Sequence, residues 1–411
     1  MTQLDMRFVR RQFPAFTQPS LKDTCFFENA GGSYLCQPVL DRFDTYLAQL
    51  KLQPYHASPA ATKAGQWMDA SYEALAPWLN VSPAEIYFGP STSQNTYVLS
   101  QAAWGWLQPG DEIIVTNQDH EANSGVWRRL AERGIEVREW QVEHGSGKLL
   151  LADLRALLGD KTKLLVFPHC SNILGDINPV KEICNLARAH GVRTVVDGVS
   201  FAGHGIPDCA ALAADIYLFS LYKVYGPHLG VMVIKPDMAT LLSNQSHFFN
   251  SEDRTKRLYP AGPDHAQVAA AKGVAEYFCA LYQHHFAENS AADVDRAGAV
   301  RGLLHKAENH ILQPLLSYLS GHSNITLVGP LDIINRAPTV SIIVAGHNHF
   351  TLCRQLGEQG IMCGAGHFYS YRLLQAMGMD PEQGVLRFSM VHYTSAADVG
   401  KLITCLDALV S

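Results

Sequence analysis

Asp215-Ile216-Tyr217-Leu218-Phe219-Ser220-Leu221-Tyr222-Lys223-Val224-Tyr225-Gly226-Pro227 is an apolar run that ends in hydroxyls and one lysine, then turns. Without polar alternation, such a run reads as a strand covered on both faces. A lysine just past a strand is, taken alone, an ordinary solvated loop residue. Upstream, Val195-Val196-Asp197-Gly198 repeats the pattern with a carboxylate at the strand's carboxyl end. That is the edge where open α/β sheets bind ligands. Lys223 and Asp197 are therefore expected to face one ligand.

Around this pair, from about Phe88 to Lys235, short apolar runs alternate with helix-like segments. The runs are Glu112 to Thr116, Ile135 to Trp140, Lys163 to Pro168, Val192 to Asp197, Asp215 to Phe219 and Gly230 to Lys235. Helices are expected at Gln94 to Trp106, Asn123 to Arg133, Ala152 to Leu158 and Pro179 to His190, several of them stopped by glycine. The rhythm is that of a mostly parallel sheet in an α/β domain. After Gly262 an alanine-rich helical stretch, Ala266 to Phe286, leads to α+β texture. There helices at Arg296 to Leu319, Thr351 to Gln359 and Ala396 to Leu409 accompany strands at Thr339 to Val344 and Val385 to Ser389. The expected division is a large domain over residues 20–285 and a small α+β domain built from 1–19 and 286–411.

The whole chain supports an enzyme of small molecules. Its 411 residues are 47% hydrophobic, enough for a large core and two domains. The formal charge of −6, from 38 acidic and 32 basic residues, comes without a long basic block, which argues against nucleic acid or lipid as partner. Nine cysteines, an odd number with no CxxC pair, suggest a reducing compartment and no metal site. Residues 1–16 mix charged and apolar side chains, so neither a secretory signal nor a membrane span is expected. The default location is the cytoplasm.

A lysine and an aspartate on one ligand suit pyridoxal phosphate (PLP). The lysine forms an imine that a substrate amine displaces, and the anion keeps the pyridine nitrogen protonated. Gly89-Pro90-Ser91-Thr92-Ser93-Gln94 offers hydroxyls and backbone N–H groups to a phosphate where a helix starts. His120, in Gln118-Asp119-His120-Glu121-Ala122-Asn123, is a candidate to stack on the ring. Read blandly, these are a capping segment and a solvated histidine.

These segments, in order, resemble the class V aminotransferase superfamily of fold type I, and within it the cysteine desulfurase and selenocysteine lyase branch. Phe26-Phe27-Glu28-Asn29-Ala30-Gly31-Gly32 is similar to the family's opening Leu-Asp-Asn-Ala-Ala, and Pro90 to Gln94 to its phosphate loop. Ser171-Asn172-Ile173-Leu174-Gly175 matches Ser-Asn-x-x-Gly, Ser220-Leu221-Tyr222-Lys223 the Schiff-base motif, and Arg387-Phe388-Ser389 the Arg-x-Ser element. The resemblance implies a mainly parallel seven-stranded sheet plus a smaller C-terminal domain, a homodimer, and Lys223, Asp197 and His120 as catalytic residues. It further implies cofactor contacts from Thr92, Ser93, Asn172, Ser200, Ser220, Tyr222 and Gly262, and substrate contacts from Asn29, Asn172, His367, Tyr369 and Arg387. The arginine would clamp a substrate carboxylate.

Four departures bear on the reaction. Gly364-Ala365-Gly366-His367-Phe368-Tyr369 resembles the desulfurase loop Arg-x-Gly-His-x-Cys, with glycine for its arginine and Tyr369 for its nucleophilic cysteine. Cys363, six residues before Tyr369, reads as a buried structural thiol at a strand end. Tyr222 replaces a common histidine, Ser200 a glutamine, and Gly262 a threonine lent to the other subunit. The leading expectation is a PLP enzyme acting on a small amino acid. The alternatives are a cysteine desulfurase or selenocysteine lyase, and a non-catalytic binding protein with this fold.

Overall fold

The computed structural model describes residues 2–253, 255–286 and 293–410. Residues 287–292, at the start of the expected second domain, and Met1 and Ser411, within its expected bounds, lie outside them. Seven strands form the main sheet in the spatial order Ile86–Gly89, Gly230–Ile234, Ile216–Ser220, Arg193–Asp197, Thr162–Pro168, Glu112–Thr116, Glu136–Trp140. All neighbouring pairs are parallel except the two made by Gly230–Ile234, so the sheet is mainly parallel.

Alternate residues of the central strands enter two different cores. Leu165, Phe167, Val196, Tyr217 and Phe219 face one; Leu164, Val166, Val195, Ile216 and Leu218 face the other. Helices cover both faces, which is why these strands carry no polar alternation. A smaller antiparallel sheet follows in the order Gly364–Gly366, Val385–Ser389, Thr339–Val344, Ile325–Val328, with its own core of Val340, Ile342, Leu386 and Phe388. Cys25–Phe26 pairs in parallel with Ile361–Met362 as a separate two-stranded sheet, tying the start of the chain to the segment that leads into Gly364–Gly366. The architecture is the fold type I arrangement expected.

Several elements differ in extent from the sequence reading. The helix expected over Asn123 to Arg133 runs Glu121–Arg128 and then tightens over Arg129–Arg133, ending at Gly134 with φ 82. The long alanine-rich helix is two, His265–Ala270 and Lys272–His285, joined at Ala271. Helices Gln37–Gln49 and Pro59–Leu79 and the edge strand Ile86–Gly89 went unread. The last helix begins as expected: Ser395 Oγ accepts from Asp398 N at 3.2 Å, and Asp398 Oδ2 accepts from Ser395 N at 2.8 Å.

Candidate active site

The carboxyl ends of strands Arg193–Asp197 and Ile216–Ser220 open into a cavity of about 260 Å³. Thr92, Ser93, His120, Asn172, Asp197, Ser200, Ser220, Tyr222 and Lys223 all line it. Strand Ile216–Ser220 runs straight into a tight turn over Leu221–Lys223. Ser33 fastens that turn, donating to Tyr222 O at 3.0 Å and accepting from Tyr225 N at 2.8 Å. The Phe26–Gly32 segment is thereby held against the lysine.

Burial governs the charges here. It pushes the Lys223 amine down to about 8, helped by the Arg387 cation and opposed by Asp197 and Glu28. It pushes the Asp197 carboxyl up, opposed by the Val199 N–H, which donates to Oδ1 at 2.8 Å, and by Lys223. His120 caps the helix Glu121–Arg128, its Nδ1 accepting from Ala122 N at 3.1 Å. Burial, then Lys223 and Arg387, lower its pKa to about 3, so the imidazole is neutral with its proton on Nε2. Its ring lies 5.1 Å from that of Tyr369.

The phosphate-loop candidates also converge. Thr92 Oγ1 and Ser220 Oγ are 2.7 Å apart where helix Thr92–Ala102 begins. The helix start can press this close because Gly230 has no side chain: a Cβ there would lie 2.5 Å from Ser91 C and 2.6 Å from Thr92 N. The Tyr222 ring stacks on His228 at 4.8 Å.

The remaining candidates stand outside the cavity. Arg387, on Val385–Ser389, is buried behind Asn172: its Nη1 donates to Asn172 O at 3.2 Å and its Nη2 to Glu28 Oε1 at 2.8 Å, while Nε has no partner. Phe368 covers the guanidinium, 3.6 Å from ring centroid to Cζ. Asn172 spends its amide on the 368–370 loop, donating to Phe368 O at 2.9 Å and accepting from Ser370 Oγ at 2.6 Å. His367 Nδ1 accepts from Tyr369 N at 3.1 Å, and the Tyr369 side chain is 67% exposed. Asn29 donates to Ser389 O at 2.8 Å and accepts from the Tyr393 hydroxyl. It shares a small neighbouring cavity with Lys223 and Ser200. Gly262 lies on a separate groove of about 730 Å³ with Tyr55, Tyr72 and Lys256.

Two acids were missed in the sequence. Glu28 already sits on Arg387, and Asp119 faces the cavity with Oδ2 bonded to Asn123 at 2.6 Å and Oδ1 without a partner. The expectation for Cys363 is corrected: it is half-buried, and its thiol donates to Cys353 Sγ at 3.9 Å. The strand before it, Ile361–Met362, is too short to enclose it.

A desolvated amine and a desolvated carboxyl on adjoining strand ends, with hydroxyls at a helix start, share one cavity at the carboxyl edge of the sheet. The chain belongs to the aminotransferase class V family, whose model matches residues 25–256 and 302–402, and members of that family use PLP. It is 33% identical to aminotransferase-like protein FGM3 of Gibberella zeae over 97% of each chain. It is 29% identical to a probable cysteine desulfurase of Pseudomonas aeruginosa over 97% of this chain and 96% of that one. The fold matches the apo structure of a cysteine desulfurase from Thermococcus onnurineus NA1, with TM-score 0.86 and 21% identity over 100% and 99% of the two chains. The chain is thus a class V aminotransferase-like, PLP-dependent enzyme. Among the described residues no helix is long and apolar enough to cross a membrane.

Proposed function

We propose that this enzyme holds PLP at Lys223 and acts on a small amino acid whose carboxylate binds Arg387. The observation that carries this reading is the meeting of Lys223, Asp197, His120 and the Thr92–Ser220 hydroxyls on the walls of one cavity. When bound, PLP supplies an electron-poor ring that withdraws charge from the substrate's α-carbon. Asp197 would pair with the ring nitrogen, a cation that restores the ionised form burial disfavours. Thr92, Ser93 and Ser220 would hold the phosphate with the helix N-terminus, Ser200 and Tyr222 would border the ring, and neutral His120 would cover one face. Lys223, its amine pushed down to about 8 by burial, would be the residue that holds the cofactor and would supply a base for the α-carbon proton.

Arg387 would receive the substrate carboxylate at its unpartnered Nε and at the Nη2 now held by Glu28. Asn172 would position the arginine through its carbonyl, with Asn29, His367 and Tyr369 walling the substrate. The reading includes a homodimer in which Gly262 reaches the other subunit, and the two-domain division at residues 20–285 against 1–19 with 286–411. Nine free thiols suit a reducing compartment, proposed to be the cytoplasm.

Borohydride reduction of the protein should leave a phosphopyridoxyl mass on the peptide containing Lys223, absent in Lys223→Ala; an adduct on another lysine sinks the assignment. A panel of amino acids, scored for keto acid, ammonia and sulfide, then names the reaction.

One observation favours a second reading, cysteine desulfurase or selenocysteine lyase chemistry at Cys363: that thiol is only partly buried. Against it, Cys363 does not line the cavity and its thiol is engaged by Cys353. Incubation with cysteine followed by intact mass decides: a stoichiometric persulfide on Cys363 would replace the leading reading.

A further inference from the structure

Two thiols that the catalytic reading does not use meet beside the site. Cys353 lies on helix His349–Glu358, and Cys363 joins Ile361–Met362 to Gly364–Gly366. Their sulfurs are 3.9 Å apart, and the Cys353 thiol donates to Cys363 O at 3.2 Å. Both are partly buried, as is Cys279, whereas Cys25, Cys36, Cys170, Cys184, Cys209 and Cys405 are buried. A disulfide needs about 2.05 Å between sulfurs, so closing the bond draws the segment that carries Cys363 toward helix His349–Glu358.

The two thiols are not equivalent. Cys363 donates its proton toward Cys353 Sγ, and this hydrogen bond lowers the Cys353 pKa while raising that of Cys363. Acceptance of that hydrogen bond favours the Cys353 thiolate, against its own donation to Cys363 O, and makes Cys353 the attacking thiol with Cys363 resolving beside it.

We propose that Cys353 and Cys363 are a peroxide-oxidisable dithiol that closes to an intramolecular disulfide. The Cys353 thiolate attacks one oxygen of hydrogen peroxide; the O–O bond breaks, the leaving hydroxide takes a proton to become water, and Cys353 becomes a sulfenic acid. Cys363 Sγ then attacks that sulfur; its own proton and the sulfenic hydroxyl leave as a second water. Two thiols lose two electrons and two protons, and one peroxide becomes two waters.

The bond would be felt at the carboxylate clamp. Cys363 precedes Gly364, which is in register with Arg387. A Cβ on Gly364 would lie 2.2 Å from Glu28 Oε2 and 2.8 Å from the Phe368 ring. Backbone drawn toward Cys353 changes the wall against which the Glu28–Arg387 pair rests. This consequence, unlike the disulfide, rests on the proposed role of Arg387: oxidation raises KM more than it lowers kcat and leaves the cofactor attached.

The test titrates the full-length protein with hydrogen peroxide, blocks remaining thiols with iodoacetamide, and maps tryptic peptides by mass. Cleavage after Arg354 separates the two cysteines, so their disulfide appears as a linked pair two hydrogens lighter than the sum. The expected result is that this link forms ahead of oxidation at every other cysteine and is reversed by dithiothreitol. Cys363→Ser should leave a dimedone-reactive sulfenic acid on Cys353. Failure of the link to form in the wild type while other cysteines oxidise overturns the proposal, as does sulfenic acid on Cys363 in Cys353→Ser at the wild-type rate. A link that forms with KM unchanged overturns only the coupling to the clamp.

Discussion

Arg387 has a resident carboxylate. Its guanidinium is buried, its Nη2 is 2.8 Å from Glu28 Oε1, and burial lowers its pKa against the support of Glu28. On the proposed role of Arg387, a substrate carboxylate arriving at Nη2 would have to displace that acid, so Glu28 would compete with substrate. Glu28→Gln keeps an acceptor for the arginine but removes the competing charge. KM for a carboxylate substrate should fall about tenfold, the worth of ~1.4 kcal/mol and within the range of one charge-assisted hydrogen bond, with kcat little changed. A KM that rises instead would mean that Glu28 belongs to the substrate's own binding set. Asp197 should behave differently: Asp197→Asn is expected to keep the cofactor bound yet slow α-proton removal by roughly 10²–10⁴, the scale of a positioned acid or base, and unchanged turnover would refute the pairing.

Lys223 makes a prediction in pH. Its folded pKa of about 8 lies below the ordinary 10.5, so the neutral form is favoured in the fold. Below about 8 the protonated amine sits in a cavity that disfavours it, and attachment of PLP to protein stripped of cofactor should be slow. The rate should climb with pH through about 8 and level off above it, as read by borohydride trapping. Arg387→Leu removes one of the charges that lower this pKa, so its plateau should move to higher pH. An inflection near 10.5 in the wild type would sink the argument. Lys223 and Asp197 were legible because each closes an apolar strand, a local pattern that the fold converts into proximity. Glu28 was not, because its partner is 359 residues away and nothing in an acid beside an asparagine announces a buried arginine.

At the scale of elements, the 367–371 loop is where the site is most particular. Phe368 and Tyr369 take successive left-handed conformations, φ 47 and 60, which cost a non-glycine residue of order 1 kcal/mol or more. The loop is held there by Asn172, Ser370 and the Glu121 N–H, which donates to Tyr369 O at 2.8 Å. Tyr369 faces His120, with the two rings 5.1 Å apart, at the position the sequence resemblance sets against the desulfurase loop's thiol. Tyr369→Ala should leave the cofactor spectrum intact and change KM or the ranking of amino-acid substrates; an unaltered ranking would remove Tyr369 from the pocket wall. The central strands could be read from their unbroken apolar runs because both sheet faces are covered. The edge strand Ile86–Gly89 could not, since four residues ending at Gly-Pro look like a turn. Helix Pro59–Leu79 was hidden by its prolines, one at the first position where it is harmless and Pro77 near the end.

At the scale of the whole molecule, Phe248 and Phe249 are among the most exposed large apolar side chains of the described residues, at 86% and 70%, and their neighbours Ser246, His247 and Asn250 line the groove that holds Gly262. Large apolar side chains in water beside a groove of this size mark an interaction surface. Gly262, the residue proposed to reach a phosphate, lies on that groove and not in its own chain's cavity, as it must if it serves a second copy. Tyr55, Met68 and Tyr72 also line the groove, and a second copy seated on it would cover them together with Phe248 and Phe249. Light scattering should give twice the mass of the 45.2 kDa chain. Phe248→Asp with Phe249→Asp, which alters only exposed side chains, should halve that mass without disturbing far-ultraviolet circular dichroism, and should loosen PLP as Gly262 withdraws from the partner's site. A wild-type monomer, or a double variant that stays dimeric with PLP as tightly held as before, would take Gly262 out of the cofactor site.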